Sequence, residues 1–173
     1  MNKDIEQKRI ESKNPGKINK AYLMMNIGLL LILPFASLIT ESFLEKMPMS
    51  PGLFVKWFIF WAAGIRLFTA GIKQASNPEF TATKIFRLLK PETYVIIREL
   101  GFANIALGVM GILSLLNDSW RILAAISCSI FFGLAAVQHS LRETFGDNEL
   151  TATLYDAVVC IVLLLYLIFN LIL

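Results

Sequence analysis

Charge is scarce in this chain of 173 residues: 17% of the residues are charged, whereas 56% are hydrophobic. A soluble domain averages about 25% charged residues. The hydrophobic residues lie in long runs that a soluble core of this size could not cover. This pattern excludes a soluble globular domain and a disordered chain. It also does not fit an outer-membrane barrel, because barrel strands alternate in hydrophobicity.

Residue types that carry chemistry are scarce too. The chain has one His and two Cys, so it cannot supply a His/His haem site within one subunit. Counting depth along the spans puts Cys128 and Cys160 too far apart for a disulfide, and we expect both to be packing residues. Nucleophile elbows, Walker loops and dinucleotide fingerprints are absent. We therefore expect no catalytic residues and no metal site, and these absences favour a protein that is not an enzyme.

Five hydrophobic segments predict an all-α fold, a polytopic membrane helical bundle with a core of four helices plus an N-terminal span. Each segment has about 19–24 residues, enough to cross a hydrocarbon layer of about 30 Å. We expect residues 1–21 to form a basic tail and residues 22–173 to form a single membrane domain. The predicted spans are 22–40, 53–75, 93–116, 120–142 and 152–173.

Lys and Arg are distributed unequally between the two sides of this predicted bundle. Eleven lie on the side of the N-terminal tail and three on the opposite side. Cytoplasmic loops carry such an excess, so we expect a multi-pass protein of the bacterial inner (plasma) membrane with a cytoplasmic N-terminus and an external C-terminus. The net charge of +3 mostly reflects this asymmetry, and no nucleic-acid partner is expected.

The loop after the second span contains a predicted short helix over residues 78–90. Pro78 suits the first helical position, and Lys84, Arg87 and Lys90 recur at three-residue spacing between apolar residues. This pattern is typical of an amphipathic helix lying on the cytoplasmic leaflet, attracted by anionic lipid. A gate over a cavity is the alternative interpretation.

Polar side chains occur inside the predicted spans, where an ionisable group costs about 2.5–3.5 kcal/mol. Counting depth from the cytoplasmic ends places them in the cytoplasmic half of the bundle. We predict that they form one ligand or proton site, with Lys73 on the same helical face as Arg66 as a secondary member. Closed ion pairs that only pin the helices are the alternative, with Arg66 pairing an acid. The predicted site residues are Arg66, Glu99, Asn104, His139 and Asp156.

Small residues form stripes on the third and fourth spans, including Gly101, Gly108 and Gly133. Such stripes let helix backbones approach closely. We expect packing within one chain, with a homodimer face as the alternative.

Four short stretches carry a family resemblance. They are G-I-R-L-F-T-A-G-I-K at 64–73, R-E-L-G-F-A-N-I-A-L-G-V-M-G-I-L at 98–113, V-Q-H at 137–139 and L-Y-D at 154–156. Their order resembles a poorly characterised group of small bacterial integral membrane proteins that share an E-x-G-x-A-N-x-x-x-G pattern, a later His and a Tyr-Asp pair. This resemblance marks Tyr155 as a second secondary site residue. More distantly, the layout resembles the DoxX-like proteins.

The DoxX resemblance implies a membrane subunit of a quinone-linked oxidoreductase. Lys73, Glu99 and His139 would then line a quinone pocket, and a membrane redox protein would be the partner. Apart from a quinone, no cofactor is expected.

Three functional hypotheses follow from these patterns. The leading one is a non-enzymatic bundle that binds a small ligand or a membrane lipid, or relays protons through His139, because imidazole changes charge in the physiological pH range. The second is the quinone-linked subunit, and the third is a structural or assembly protein. An open polar cavity would favour binding or transport, and a closed set of ion pairs would favour the third hypothesis.

Overall fold

The computed structural model describes residues 20–86, 88, 90–141 and 147–172. Most of the predicted basic tail, together with Arg87 and Arg142, lies outside these residues. Within the described part of the chain, all regular secondary structure is helical. The helices are α1 (Lys20–Leu44), α2 (Pro51–Ser76), α3 (Pro78–Phe80, continuing as Thr81–Ile85), α4 (Thr93–Leu113), α5 (Ser119–Ser140) and α6 (Asp147–Ile172).

The five long helices are long and apolar enough to cross a membrane, which confirms the predicted all-α bundle. Because they alternate in direction, α1, α4 and α6 begin at the same end of the bundle at which α2 and α5 finish. We call this end the Lys20 end. The helix starts follow local chemistry: at α2, the Ser50 side chain accepts a hydrogen bond from the Leu53 amide at 3.2 Å, and Pro51 occupies the first turn.

Helix α3 differs from the expected amphipathic helix over 78–90. Its helical part ends at Ile85, ahead of Pro91, which disfavours helical backbone at the residue before it. Pro78, Thr81 and Ala82 are buried, so α3 packs beneath the bundle at the Lys20 end and does not lie wholly on a lipid surface.

Helices α2 and α4 pack backbone against backbone. A Cβ atom added at Gly71 would lie 2.6 Å from the Gly101 carbonyl oxygen, and one added at Gly64 would lie 2.8 Å from the Ile112 amide nitrogen. Gly108 lies equally close against the backbone of Phe68. The small-residue stripe of the third span is therefore used within the chain, and only glycine fits at these crossing points.

The other helices close around this pair. Helices α5 and α6 pack together through an apolar core that includes Cys128, Phe132, Val159 and Leu163. Helix α1 lies against α2, where Glu41 accepts hydrogen bonds from the Trp57 indole at 2.6 Å and from Lys56.

Three stretches have the wider π-helical turn: Gly28–Ile32 in α1, Ile59–Ile65 in α2 and Thr81–Ile85 in α3. A π turn inserts one extra residue into a helix and leaves a carbonyl outside the regular hydrogen-bond ladder. Such turns often occur next to functional sites. Two of the three stretches are followed directly by a residue that lines the cavity described below.

Candidate functional site

A cavity of about 720 Å³ lies at the Lys20 end of the bundle. All six helices contribute to its walls, with α3 forming the floor. One part of the lining is aromatic and aliphatic, and the other part is polar. The polar part contains Arg66, Lys73, Gln74, Asn104, His139 and Asp156.

Arg66 lies at the centre of the polar wall, directly after the π stretch of α2. Its Nε donates to Asn26 Oδ1 at 2.9 Å and its Nη2 donates to the Tyr22 hydroxyl at 3.1 Å. The guanidinium also lies over the Tyr22 ring and over the Tyr155 ring, at 5.7 and 5.2 Å from their centroids. Arg66 is therefore buried among neutral partners from α1 and α6, and it joins three helices.

Tyr155 completes the hydrogen bonding of the π stretch. The Arg66 amide bonds to the carbonyls of Trp61 and Ala63 and bypasses Ala62, its α-helical partner. The Tyr155 hydroxyl donates to that Ala62 carbonyl at 3.0 Å. Because an unpaired carbonyl in a buried helix is costly, Tyr155 stabilises the local geometry that places Arg66.

His139 lies between two acids of α6. Its Nδ1 is 3.2 Å from Glu149 Oε1, and its Nε2 is 3.9 Å from Asp156 Oδ2. Phe86 stacks on the imidazole with ring centroids 5.5 Å apart. A neutral imidazole donates from one nitrogen only, whereas the protonated ring donates from both. The 3.2 Å separation allows a hydrogen bond between His139 and Glu149, whereas the 3.9 Å separation from Asp156 is too long for one.

Asn104 pairs with Gln74 across the α2–α4 contact, its Nδ2 donating to Gln74 Oε1 at 2.7 Å. The Asn104 side chain is 4% exposed, and its Oδ1 has no hydrogen-bond partner. Exchanging the oxygen and nitrogen of both amides would still leave one polar atom of Asn104 unpaired. The cavity thus contains a buried polar atom that the described part of the protein does not satisfy.

Lys73 lies two helical turns after Arg66 on the same face of α2. Its ammonium lies 3.5 Å from the centroid of the Phe80 ring on the floor helix. This cation–π contact holds the amine at the edge of the cavity while the side chain stays exposed.

The structure brings together four of the five predicted site residues: Arg66, Asn104, His139 and Asp156 all line the cavity. Lys73 lines it as well, and Tyr155 supports it from behind. Glu99 does not join them, because its side chain is exposed on α4 and is absent from the cavity lining. In the alternative interpretation Arg66 would pair with Glu99 or Asp156, and among the described residues neither carboxylate lies within 4.0 Å of its guanidinium.

Sequence reasoning missed several members of the site. Gln74 lines the cavity and Glu149 contacts His139, yet neither is among the predicted site residues. Asn26 and Tyr22 on the N-terminal span, which accept hydrogen bonds from Arg66, are not among them either. A polar Asn inside that first apolar run was the signal that could have identified α1 as part of the site.

No group of three or more His, Cys, Asp or Glu side chains among the described residues could hold a metal ion. What the site offers instead is a set of hydrogen-bond donors and acceptors, two cationic side chains and an exchangeable proton. Such a set suits a small organic molecule with a polar end.

Comparison with known proteins identifies the family of this chain. The model of a family of unknown function, DUF6790, matches residues 20–173. The chain belongs to the DUF6790 family. This membership agrees with the predicted poorly characterised family, whereas the DoxX resemblance stays a prediction. No curated protein and no solved structure matches the chain.

Proposed function

We propose that this DUF6790 protein binds a small amphiphilic molecule drawn from the membrane, with the polar end of that molecule in the cavity. The single observation that carries the proposal is a cavity of about 720 Å³ whose wall is polar in one part and aromatic and aliphatic in the other. A molecule with a polar end and an apolar body would contact both parts of this wall.

The rim of the cavity indicates where the ligand enters. Leu134 and Val137 line the cavity on α5 and are 66% and 56% exposed, and Met25 on α1 is 41% exposed. Leu134 and Val137 lie six and three residues before Ser140, about 9 and 4.5 Å along the helix axis. An apolar opening at this depth meets acyl chains when the bundle spans a bilayer, which supports entry from the membrane.

A cavity-filling pair of variants tests this function. Ala135→Phe places a ring in the cavity, whereas Ala103→Phe adds the same ring on the exposed face of α4. Protein purified in mild detergent would be examined by native mass spectrometry for co-purifying small molecules. We expect the wild-type protein and Ala103→Phe to carry a bound amphiphile and Ala135→Phe to lose it. Equal retention by both variants, or no bound molecule in the wild-type protein, would contradict the proposal.

A quinone is the second candidate ligand, favoured by the row of Glu149, His139 and Asp156. Reduction of a quinone takes up protons, and His139 lies in the wall with carboxylates near both ring nitrogens. Solvent extraction of the purified protein, followed by absorption spectroscopy, would detect a quinone in about equimolar amount. Its absence, together with no thermal stabilisation by an added soluble quinone analogue, would exclude this candidate.

We further propose the orientation in which the Lys20 end faces the cytoplasm of a bacterial inner membrane. Lys20, Lys73 and Lys90 lie at that end, and Lys46, Lys56 and Arg121 lie toward the opposite end. A reporter fused after the C-terminus, active only outside the cytoplasm, should be active. An inactive C-terminal reporter paired with an active N-terminal one would reverse the assignment.

A further inference from the structure

The charged groups around the cavity point to the chemical class of the ligand. We infer that the bound amphiphile carries an anionic head, a carboxylate or a phosphate, which binds Arg66 and Lys73. This inference rests on the proposed function and adds the charge of the ligand to it.

The first observation is that the buried Arg66 forms no ion pair with a carboxylate of the described residues, although Asp156 acts on it through longer-range electrostatics. The hydrogen bonds of its side chain go to the neutral Asn26 and Tyr22 side chains. Within the described ranges, no carboxylate lies within 4.0 Å of its guanidinium. Buried charges in proteins are normally paired, because removing an unpaired charge from water is expensive.

The second observation is that Lys73, which is exposed on the same helical face, also forms no ion pair with a described carboxylate. In the part of the chain that the structure describes, its ammonium contacts the face of Phe80 and no carboxylate lies within 4.0 Å. Two cations at positions 66 and 73 therefore project from one face of α2 toward one cavity. Arg and Lys in such positions are the side chains that bind carboxylate and phosphate.

One acid lies on the cavity wall. Among the described lining residues Asp156 is the only acid, and its Oδ2 lies 3.9 Å from His139 Nε2, while the other ring nitrogen of His139 contacts Glu149 at 3.2 Å. Asp156 forms no ion pair with Arg66 or Lys73 within 4.0 Å, so the described part of the wall pairs neither cation closely.

The apolar part of the lining explains why the anion should carry acyl chains. Phe131, Phe132, Leu134 and Val137 form a continuous wall on α5 from the interior of the cavity to its exposed rim. A free inorganic anion would leave this wall without a contact. An anionic lipid would place its head at Arg66 and Lys73 and its chain along α5 into the membrane.

Thermal unfolding of the delipidated, detergent-solubilised protein tests the inference with four probes. They are dioleoyl phosphatidate, oleate, dioleoylglycerol as the neutral molecule with the same chains, and inorganic phosphate as the head alone. We expect phosphatidate or oleate to raise the Tm by about 5 °C or more at saturation, with little effect of dioleoylglycerol or phosphate.

Four variants link the Tm shift to the cations. Lys73→Gln should reduce the shift by about half, whereas Lys90→Gln, which removes an exposed lysine outside the cavity at the same end, should leave it unchanged. Arg66→Gln should abolish the shift, and Lys73→Arg should restore it relative to Lys73→Gln. If Arg66→Gln does not fold, the Lys73 and Lys90 pair still decides the question.

The other outcomes distinguish the proposed binding of an amphiphile from the inference that its head is anionic. Equal stabilisation by dioleoylglycerol would overturn the anionic head and leave the binding of an amphiphile standing. Equal stabilisation by inorganic phosphate would assign the site to a water-soluble anion and overturn the acyl chain. No stabilisation by any probe, with no co-purifying molecule in native mass spectra, would overturn both.

Discussion

Replacing Gly71 by alanine should destabilise the bundle measurably, although it adds only one methyl group. The new Cβ would lie 2.6 Å from the Gly101 carbonyl oxygen and 2.7 Å from the Ile105 amide nitrogen. Ordinary van der Waals contact begins near 3.4 Å, so α2 and α4 would have to separate by about 0.8 Å. Both opposing atoms belong to backbone and cannot move aside as a side chain tip can. Overpacking of this kind costs about 1–3 kcal/mol.

The matched control is Gly28→Ala in α1, where nothing lies within 4 Å of the added Cβ and the backbone φ is negative. Alanine is favoured over glycine in a helix by about 1 kcal/mol, so this variant should be neutral or slightly stabilised. Thermal unfolding in detergent, followed by a thiol-reactive dye on the buried Cys128, would report both variants. We expect a Tm lower by about 5 °C for Gly71→Ala and no loss for Gly28→Ala. Equal melting temperatures would refute the close α2–α4 contact.

Three further substitutions have graded expectations. Tyr155→Phe removes the donor to the π-stretch carbonyl and should cost about 1–3 kcal/mol, whereas Tyr166→Phe on the same helix should cost little; similar Tm values would contradict the proposed role. Arg66→Leu strands the buried Asn26 oxygen and should lower both the Tm and the folded yield in size-exclusion chromatography, with a cost of about 2 kcal/mol; an unchanged Tm would contradict this. Glu41 lies at the opposite end of the bundle in a partly exposed cluster, so Glu41→Gln should lower the free energy of unfolding by less than about 1 kcal/mol. A larger loss of stability in the same assay would contradict this expectation.

The five spans were predictable because apolar runs of about 20 residues have few alternatives to a membrane helix. The ends were less predictable. Helix α6 begins at Asp147, five residues before the predicted span, because residues 147–151, four of which are polar, belong to the helix but add little to the apolar signal. Conversely, the basic pattern over residues 78–90 predicted a longer α3 than the one that ends at Ile85.

The sequence predicted the depth of the site residues in the bundle, but it did not predict the direction in which each side chain points around its helix. Arg66, Ala70 and Lys73 follow the 3.6-residue period and all line the cavity, whereas Ala62, placed on the same face, does not. Ala62 lies inside the π stretch Ile59–Ile65, whose wider turn adds a residue and breaks the period.

The sequence also could not predict which side of helix α4 faces the cavity. Glu99 and Asn104 lie five residues apart, about 7.5 Å along the helix axis and about 140° around it. The sequence could not decide which of them faces inward, because apolar residues surround α4 on all sides. The structure places Asn104 inside, against Gln74, and Glu99 outside. The choice follows from the glycines of α2 and α4, whose contact fixes the rotation of α4.

The exposed rim formed by Leu134 and Val137 changes how affinity must be expressed for this protein. A molecule that arrives through an apolar opening is first dissolved in the surrounding lipid or micelle, so occupancy depends on its mole fraction in that phase. Its concentration in the buffer matters only through partitioning. Titrations at different detergent concentrations should therefore give different apparent Kd values in molar units and a single value in mole fraction.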